Sequence, residues 1–268
     1  MLEELQTIKG EGEGEKIEEK STVEFELLQK MAEAGIFYGR KKTKTHPRMK
    51  RFIYATRNGS EILDLEKTAA FLEEAGNFIE TLAQKRAIVL CVGTTPAAKD
   101  LIKKFAESSG YPFVIERWLG GTLTNFKTLS GRLQYFIKLK SDREAGRLEK
   151  YTKKERLNFD REIDRLKKLF GGLETLKELP DALLIVGSTS HDTAVREARI
   201  MKIPIISILS TDADPEKIQY PIPANDRARS SIQWLLEVLV KRVEAGKKTP
   251  IIEEIKTSPQ REEKNKVQ

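Results

Sequence analysis

The chain has 268 residues, of which 39% are hydrophobic and 33% charged, with a formal net charge of +7 and a pI near 9.2. That length suffices for a substantial core, the excess of charged residues points to solvated appendages beside a folded body, and the basic balance suits an anionic partner. One cysteine, Cys91, excludes an internal disulfide framework and fits a reducing compartment; no apolar run reaches membrane-spanning length, and no signal peptide opens the chain.

Residues 1–20 are rich in Glu and Gly with few apolar anchors, and read as a flexible acidic tail. The stretch STVEFELLQKMAEAG reads as a helix, with Ser21 and Glu24 at capping-box spacing and Gly35 at its end. A basic segment follows. The His46-Pro47 step disfavours helix there, which places the segment mainly on a loop. RFIYATRNGSEILDL alternates on both sides of Asn58-Gly59, a hairpin signal. LEKTAAFLEEAGNFIETLAQK is an amphipathic helix.

AIVLCVG is a continuous apolar run, the mark of a strand buried on both faces of a parallel sheet. PAAKDLIKKFAESSG is a helix with Pro96 in its first turn, and PFVIE a short strand. DALLIVG and IPIISIL repeat the buried-strand pattern around the helical TAVREARIMK. The final helix, DRARSSIQWLLEVLVKRVEAGKK, carries Trp234, Leu235, Val238, Leu239 and Val243 on one stripe. Alternating strands and helices predict an α/β body over residues 21–125 and 171–247.

Residues 126–170 break the alternation. Leu129, Leu133, Phe136 and Ile137 line one helical pattern; Leu157, Ile163, Leu166 and Phe170 line a second, with a break near Gly146. Narrow apolar seams with charged flanks predict an inserted antiparallel coiled-coil hairpin projecting from the sheet. Gly171-Gly172 marks the return, and residues 248–268 read as a second flexible tail.

No motif assembles catalysis. GTTPAAK lacks both the G-x-G-x-x-G and the P-loop pattern, so Gly93 is a turn residue before a helix. Ser190, His191 and Asp192 are adjacent, whereas triad members come from separate loops, so Thr189 or Ser190 is better read as a helix N-cap. With two histidines and one cysteine, a Cys/His zinc site is nearly excluded, and no cofactor or metal is expected.

Two stretches stand apart. Between Arg40 and Arg57 lie Arg40, Lys41, Lys42, Lys44, Arg48, Lys50, Arg51 and Arg57 with no Asp or Glu. Ordinary surfaces mix both signs, and such a run is economically explained by a polyanion. Phe37, Tyr38, Gly39 and Tyr54 interleave with the charge as on nucleic-acid surfaces. In ERWLGGTLTNFKTLSGR, the Gly120-Gly121 pair permits close backbone approach beside Arg117, Trp118, Thr122, Thr124 and Asn125.

With EAGIFYGR, HPRMKRFIYATRNGSEILDLEKT, VGTTPAA, ERWLGGTLTNFKT, LPDALLIV, AVREARIMKIPIISILST and DADPEKIQYPIPANDRA in this order, residues 22–247 resemble the bacterial ribosomal protein S-two family. The resemblance implies a flavodoxin-like (Rossmann-like) parallel sheet with helices on both faces and an inserted coiled-coil hairpin. It implies a cytoplasmic, non-enzymatic constituent of the small ribosomal subunit. The implied partners are small-subunit rRNA, neighbouring ribosomal proteins and the large mRNA-binding protein numbered one, with no membrane. On this reading the RNA contacts are the eight cations above with Asn58, Arg117, Thr122, Thr124 and Asn125. The family commonly reads His-Phe-Gly-His where this chain has Phe37, Tyr38, Gly39 and Arg40, so no histidine-dependent metal contact is carried over, and Arg40 offers a forked phosphate contact instead. Ala224, Asn225, Asp226 and Arg227 replace a Gly-Asn-Asp-Asp run, adding positive charge. The competing readings are a nucleotide- or sugar-phosphate-using enzyme on a similar sheet, since fold does not fix function, and a free RNA-binding regulator.

Overall fold

The computed structural model describes residues 25–249; the Ser21–Glu24 capping box, the expected N-terminal tail and the expected C-terminal tail beyond Thr249 lie outside them, while Lys248 belongs to the last helix. Helix α1 (residues 25–33) stops at Gly35, whose φ of +72° is the left-handed turn expected there. The chain then forms a three-stranded antiparallel sheet, β1 (Tyr38–Lys41), β2 (Ile53–Arg57) and β3 (Ser60–Leu63), in the order β1-β3-β2. Asn58 and Gly59 join β2 to β3 with φ of 51° and 74°, the two left-handed residues that a tight hairpin requires.

The basic segment is therefore not mainly loop. Besides β1 it contains two 3-10 turns, Lys42–Lys44 and Pro47–Phe52. Pro47 opens the second turn, where no backbone donor is needed, and buried Met49 and Phe52 pin it to the body. β1 was hidden because YGRK has no apolar alternation. Pairing with β3 holds it, and so does Thr211, whose hydroxyl accepts from Arg40 N–H at 2.8 Å.

The main sheet is parallel: β4 (Val89–Val92), β5 (Phe113–Val114), β6 (Ala182–Val186), β7 (Ile205–Leu209) and β8 (Tyr220–Pro223), in the order β5-β4-β6-β7-β8. Counted within this sheet, that is the flavodoxin-like order 2-1-3-4-5. Alternate residues serve opposite faces. Val89, Cys91, Leu184 and Val186 pack with α2 (Leu65–Gln84), α3 (Lys99–Ser109) and α7 (Arg229–Lys248). Leu90, Val92, Leu183 and Ile185 pack with α4 (Phe126–Glu144), α5 (Lys153–Phe170) and α6 (Asp192–Ile200). β8 was not anticipated, because YPIP carries two prolines; at the sheet edge its missing donors cost little. α3 begins at Lys99, so Pro96 lies in the preceding turn rather than in the helix.

α4 and α5 run antiparallel, with Arg143 Nε 2.9 Å from Asp160 and a Thr152–Glu155 capping box starting α5. Leu133, Phe136, Leu139, Ile163 and Leu166 are buried between them. Ile137 and Leu157, expected in the seam, are instead 40% and 50% exposed. The seam is not a separate small core: it is continuous with the residues covering β4 and β6. At the return, a side chain on Gly172 would collide with the Phe113 carbonyl, and Gly172 O accepts from Phe113 N–H at 2.8 Å.

Candidate nucleic-acid interface

In a sheet of this order, small ligands bind outside the carboxyl ends of the strands where the order reverses, between β4 and β6. Here His191 fills that position. Thr94 N–H donates to His191 Nε2 at 3.2 Å, and Thr94 Oγ1 lies 3.0 Å from the same nitrogen. Nε2 is thus an acceptor, which puts the proton on Nδ1, 2.8 Å from Gly187 O. Burial lowers the pKa of this imidazole, against the opposing pull of the Gly187 carbonyl. Asp192 turns away to pair with Arg196, so the Ser190-His191-Asp192 run forms no relay. Neither Thr189 nor Ser190 caps α6; His191 occupies the N-cap position, without a side-chain cap, after a 3-10 turn.

The eight cations of the basic segment separate into two groups. Arg40 is largely buried: its NH2 group donates to Asp226 at 2.8 Å, and Nε is 3.3 Å from Asp212. Arg48 lies 3.0 Å from both Asp214 and Glu216. The acids missing from the local sequence thus come from the ends of β7 and β8. Arg40 is a structural cation and not the free phosphate fork expected of it, and Arg48 is already partnered. Lys41, Lys42, Lys44, Lys50, Arg51 and Arg57 are exposed and pair with no carboxylate among the described residues. Arg51 lies over the Phe52 ring, 4.7 Å from its centre.

β2 explains how this surface is presented. Four of its five residues are exposed, on both faces of an edge strand. The β2–β3 register jumps between Ile53 and Ala55, leaving Tyr54 unpaired and 80% exposed. Asn58 is exposed at the tip, and Tyr38, 55% exposed, lies on β1. Beneath the sheet, buried Glu61 accepts from Thr56 Oγ1 at 2.7 Å.

The second stretch is organised by a residue that sequence reasoning missed. Glu197 of α6 is buried, and one carboxylate oxygen accepts from Trp118 Nε1 at 3.1 Å and Gly121 N–H at 2.9 Å. The other accepts from Leu123 N–H at 2.9 Å and Thr124 N–H at 3.4 Å. Burial raises its pKa, but these donors outweigh burial and hold it below the usual glutamate value. The available signal was a glutamate between Ala194 and Ala198 on the apolar face of α6. Arg117, Thr124 and Asn125 stay exposed on the loop; Thr122 is 2% exposed and its hydroxyl donates to Leu119 O at 2.6 Å, so it is spent internally.

A flavodoxin-like sheet with His191 at its reversal point, carrying a small basic sheet with exposed tyrosines, presents a surface suited to an anionic partner. The chain matches the family described as Ribosomal protein S2 over residues 31–246. It is 43% identical over 209 residues to the small ribosomal subunit protein uS2 of Thermus thermophilus, covering 78% of this chain and 82% of that one. It is 40% identical over 221 residues to the uS2 of Dictyoglomus thermophilum, covering 82% and 90%. The chain belongs to the ribosomal protein S2 family, and with that membership it is a structural ribosomal protein rather than an enzyme.

Proposed function

We propose that this protein is a cytoplasmic structural constituent of the small ribosomal subunit, held to small-subunit rRNA through the β1–β3 sheet and the loop from Arg117 to Asn125. The observation that carries the reading is six exposed cations with no carboxylate partner among the described residues, on the same small sheet and its 3-10 turns as Tyr54, which lies on an edge strand exposed on both faces. An RNA backbone neutralises the cations, and an exposed aromatic ring offers a stacking surface. The contact set is Lys41, Lys42, Lys44, Lys50, Arg51, Arg57, Asn58, Arg117, Thr124 and Asn125, with Arg40, Arg48 and Thr122 withdrawn. Most such contacts position the protein without reading bases.

The α4–α5 pair, residues 126–170, is assigned to neighbouring ribosomal proteins as an arm inserted into the α/β body. Support for the large mRNA-binding protein numbered one as a neighbour comes from the family resemblance. Cosedimentation with small subunits at two salt concentrations tests the RNA reading. Reversing Lys41, Lys42 and Lys44 to Glu weakens association and flattens its salt dependence, whereas reversing Lys153, Lys154 and Lys167 on α5 has a smaller effect. Equal losses from both triple variants refute the assignment of the anchor.

A further inference from the structure

Arg227 belongs to none of the contacts assigned above. It lies on the connection from β8 to α7, is exposed, and pairs with no carboxylate among the described residues. Its backbone is fixed by Asn225, whose side-chain oxygen accepts from Arg227 N–H at 3.1 Å and Ala228 N–H at 3.2 Å. Arg227 shares a cavity of about 340 Å³ with Lys41 and Lys44 of the basic segment. Ser60 at the start of β3 and Ser210 at the end of β7 also line it. Cations more than 180 positions apart in sequence thus converge on one concave space.

The charge around that space does not cancel. Arg40 and Asp212 line it, and Arg40 binds both Asp212 and Asp226. Four cations, Arg40, Lys41, Lys44 and Arg227, stand against these two carboxylates, a surplus of two. Arg40 engages both carboxylates directly and Arg227 also acts on Asp226 through space, yet two carboxylates leave two of the four positive charges unbalanced. A metal ion is disfavoured by the same surplus. The donor-bearing side chains around it stand on β1, on the first 3-10 turn, at the start of β3, just after β7 and on the β8–α7 connection, so an anion there is met from several sides. That spread suits a tetrahedral anion.

We infer that this cavity is a phosphate seat, in which Lys41, Lys44 and Arg227 hold one phosphate group of an RNA strand with Ser60 and Ser210 as neutral donors. The inference rests on the RNA-binding reading and deepens it, by naming a specific seat and adding a residue outside the basic segment. The phosphate comes either from a phosphodiester within the strand or from a terminal monoester, and the same chemistry serves both. The Arg40–Asp212–Asp226 cluster acts as the floor: it ties β1 to the ends of β7 and β8 and so holds the two sets of cations at a fixed separation.

The test uses the full chain and a labelled single-stranded RNA, with and without a 5′ phosphate, followed by fluorescence anisotropy at several salt concentrations. Arg227→Ala should weaken binding three- to tenfold and reduce the slope of log affinity against log salt by about 0.7, the value for one phosphate on a single strand. Lys153→Ala, on α5, is the charge-matched control. Inorganic phosphate should shift the amide NMR signals of Gly39, Ser210 and Arg227 in the parent and not in Arg227→Ala. Equal sensitivity of both RNAs to Arg227→Ala assigns an internal phosphodiester; sensitivity only of the 5′-phosphorylated RNA assigns a terminal group. If Arg227→Ala behaves like Lys153→Ala while the Lys41, Lys42, Lys44 reversal still weakens binding and flattens its salt dependence, the seat is refuted and the wider RNA reading stands. If neither matters, the wider reading falls as well. Displacement of the RNA by a poly-glutamate peptide of equal charge, with the same Arg227 dependence, also overturns the phosphate assignment.

Discussion

Removing the carboxylate of Glu197 tests whether one buried acid builds the loop from Trp118 to Thr124. In Glu197→Ala three close donors lose their acceptor: Trp118 Nε1 at 3.1 Å, Gly121 N–H at 2.9 Å and Leu123 N–H at 2.9 Å. A buried donor left unmet costs about 1–3 kcal/mol. Leu123 is 1% exposed and bears that cost in full, while Trp118 and Gly121 are half-buried and regain water in part. The expected loss is about 3–5 kcal/mol, read from urea unfolding followed by circular dichroism and tryptophan emission. Glu197→Gln keeps the shape but turns one acceptor into a donor facing backbone N–H groups, so it should cost about 2–3 kcal/mol. RNA affinity should fall in both variants, since Arg117, Thr124 and Asn125 ride on the loop, although Glu197 touches no RNA. The pH dependence has a definite sign. A glutamate whose folded pKa lies below its ordinary 4.5 contributes stability above that value and loses it as pH falls through the folded pKa. Glu197→Gln should abolish that acid loss. A Glu197→Ala protein within about 1 kcal/mol of the parent, with unchanged Trp118 emission, would refute the reasoning.

Burial depresses the His191 pKa, so its contribution to stability is full above the ordinary 6.5 and is lost as pH falls below it; His191→Ala should flatten urea midpoints there, and an unchanged slope would exclude His191 as the source. Asp226 runs the other way: burial pushes its carboxyl up to about 6 despite Arg40, so stability rises as pH falls from about 6 towards 3.8, and Asp226→Asn should remove that rise. Phe136→Ala should cost about 3–5 kcal/mol in a single unfolding transition, because Phe136 is 0% exposed in a cluster shared with β4 and β6; a separate early loss of helix would contradict that continuity.

The buried strands were readable because a parallel sheet covered on both faces leaves no polar alternation: Val89–Val92 and Ala182–Val186 are apolar throughout, and Ile205–Leu209 is interrupted only by Ser207, whose hydroxyl donates to Ile185 O. The Asn58-Gly59 hairpin was equally plain, since few other pairs accept two left-handed residues. β1 and β8 were not readable, for a common reason. Both are edge strands whose sequences, YGRK and YPIP, are specified by what they pair with and not by their own pattern. Ile137 and Leu157 were misplaced in the seam because spacing alone does not say which side of a helix the neighbouring helix takes. At the candidate site, the excess of positive charge was legible and its division was not. Arg40 and Lys41 are adjacent in sequence, yet Asp212 and Asp226 engage Arg40 and leave Lys41 exposed.

That division follows from which way each side chain leaves β1. Arg40 N–H is bound to Thr211 at the end of β7, so its side chain enters the space where β7 and β8 end, and the carboxylates there satisfy it. A cation this buried needs partners, and without Asp212 and Asp226 its desolvation would destabilise the junction of the two sheets. The neighbouring lysines meet no such demand, because their ammonium groups remain in water until an anion arrives. His191 makes the matching change at the ends of β4 and β6. By occupying Thr94 N–H and the Gly187 carbonyl, it removes the free backbone groups that a small ligand would use at the reversal of the sheet. The carboxyl ends of β7 and β8 thus anchor the basic sheet through Arg40, Asp212 and Asp226, and its exposed lysines and arginines other than Arg48 have no carboxylate partner among the described residues.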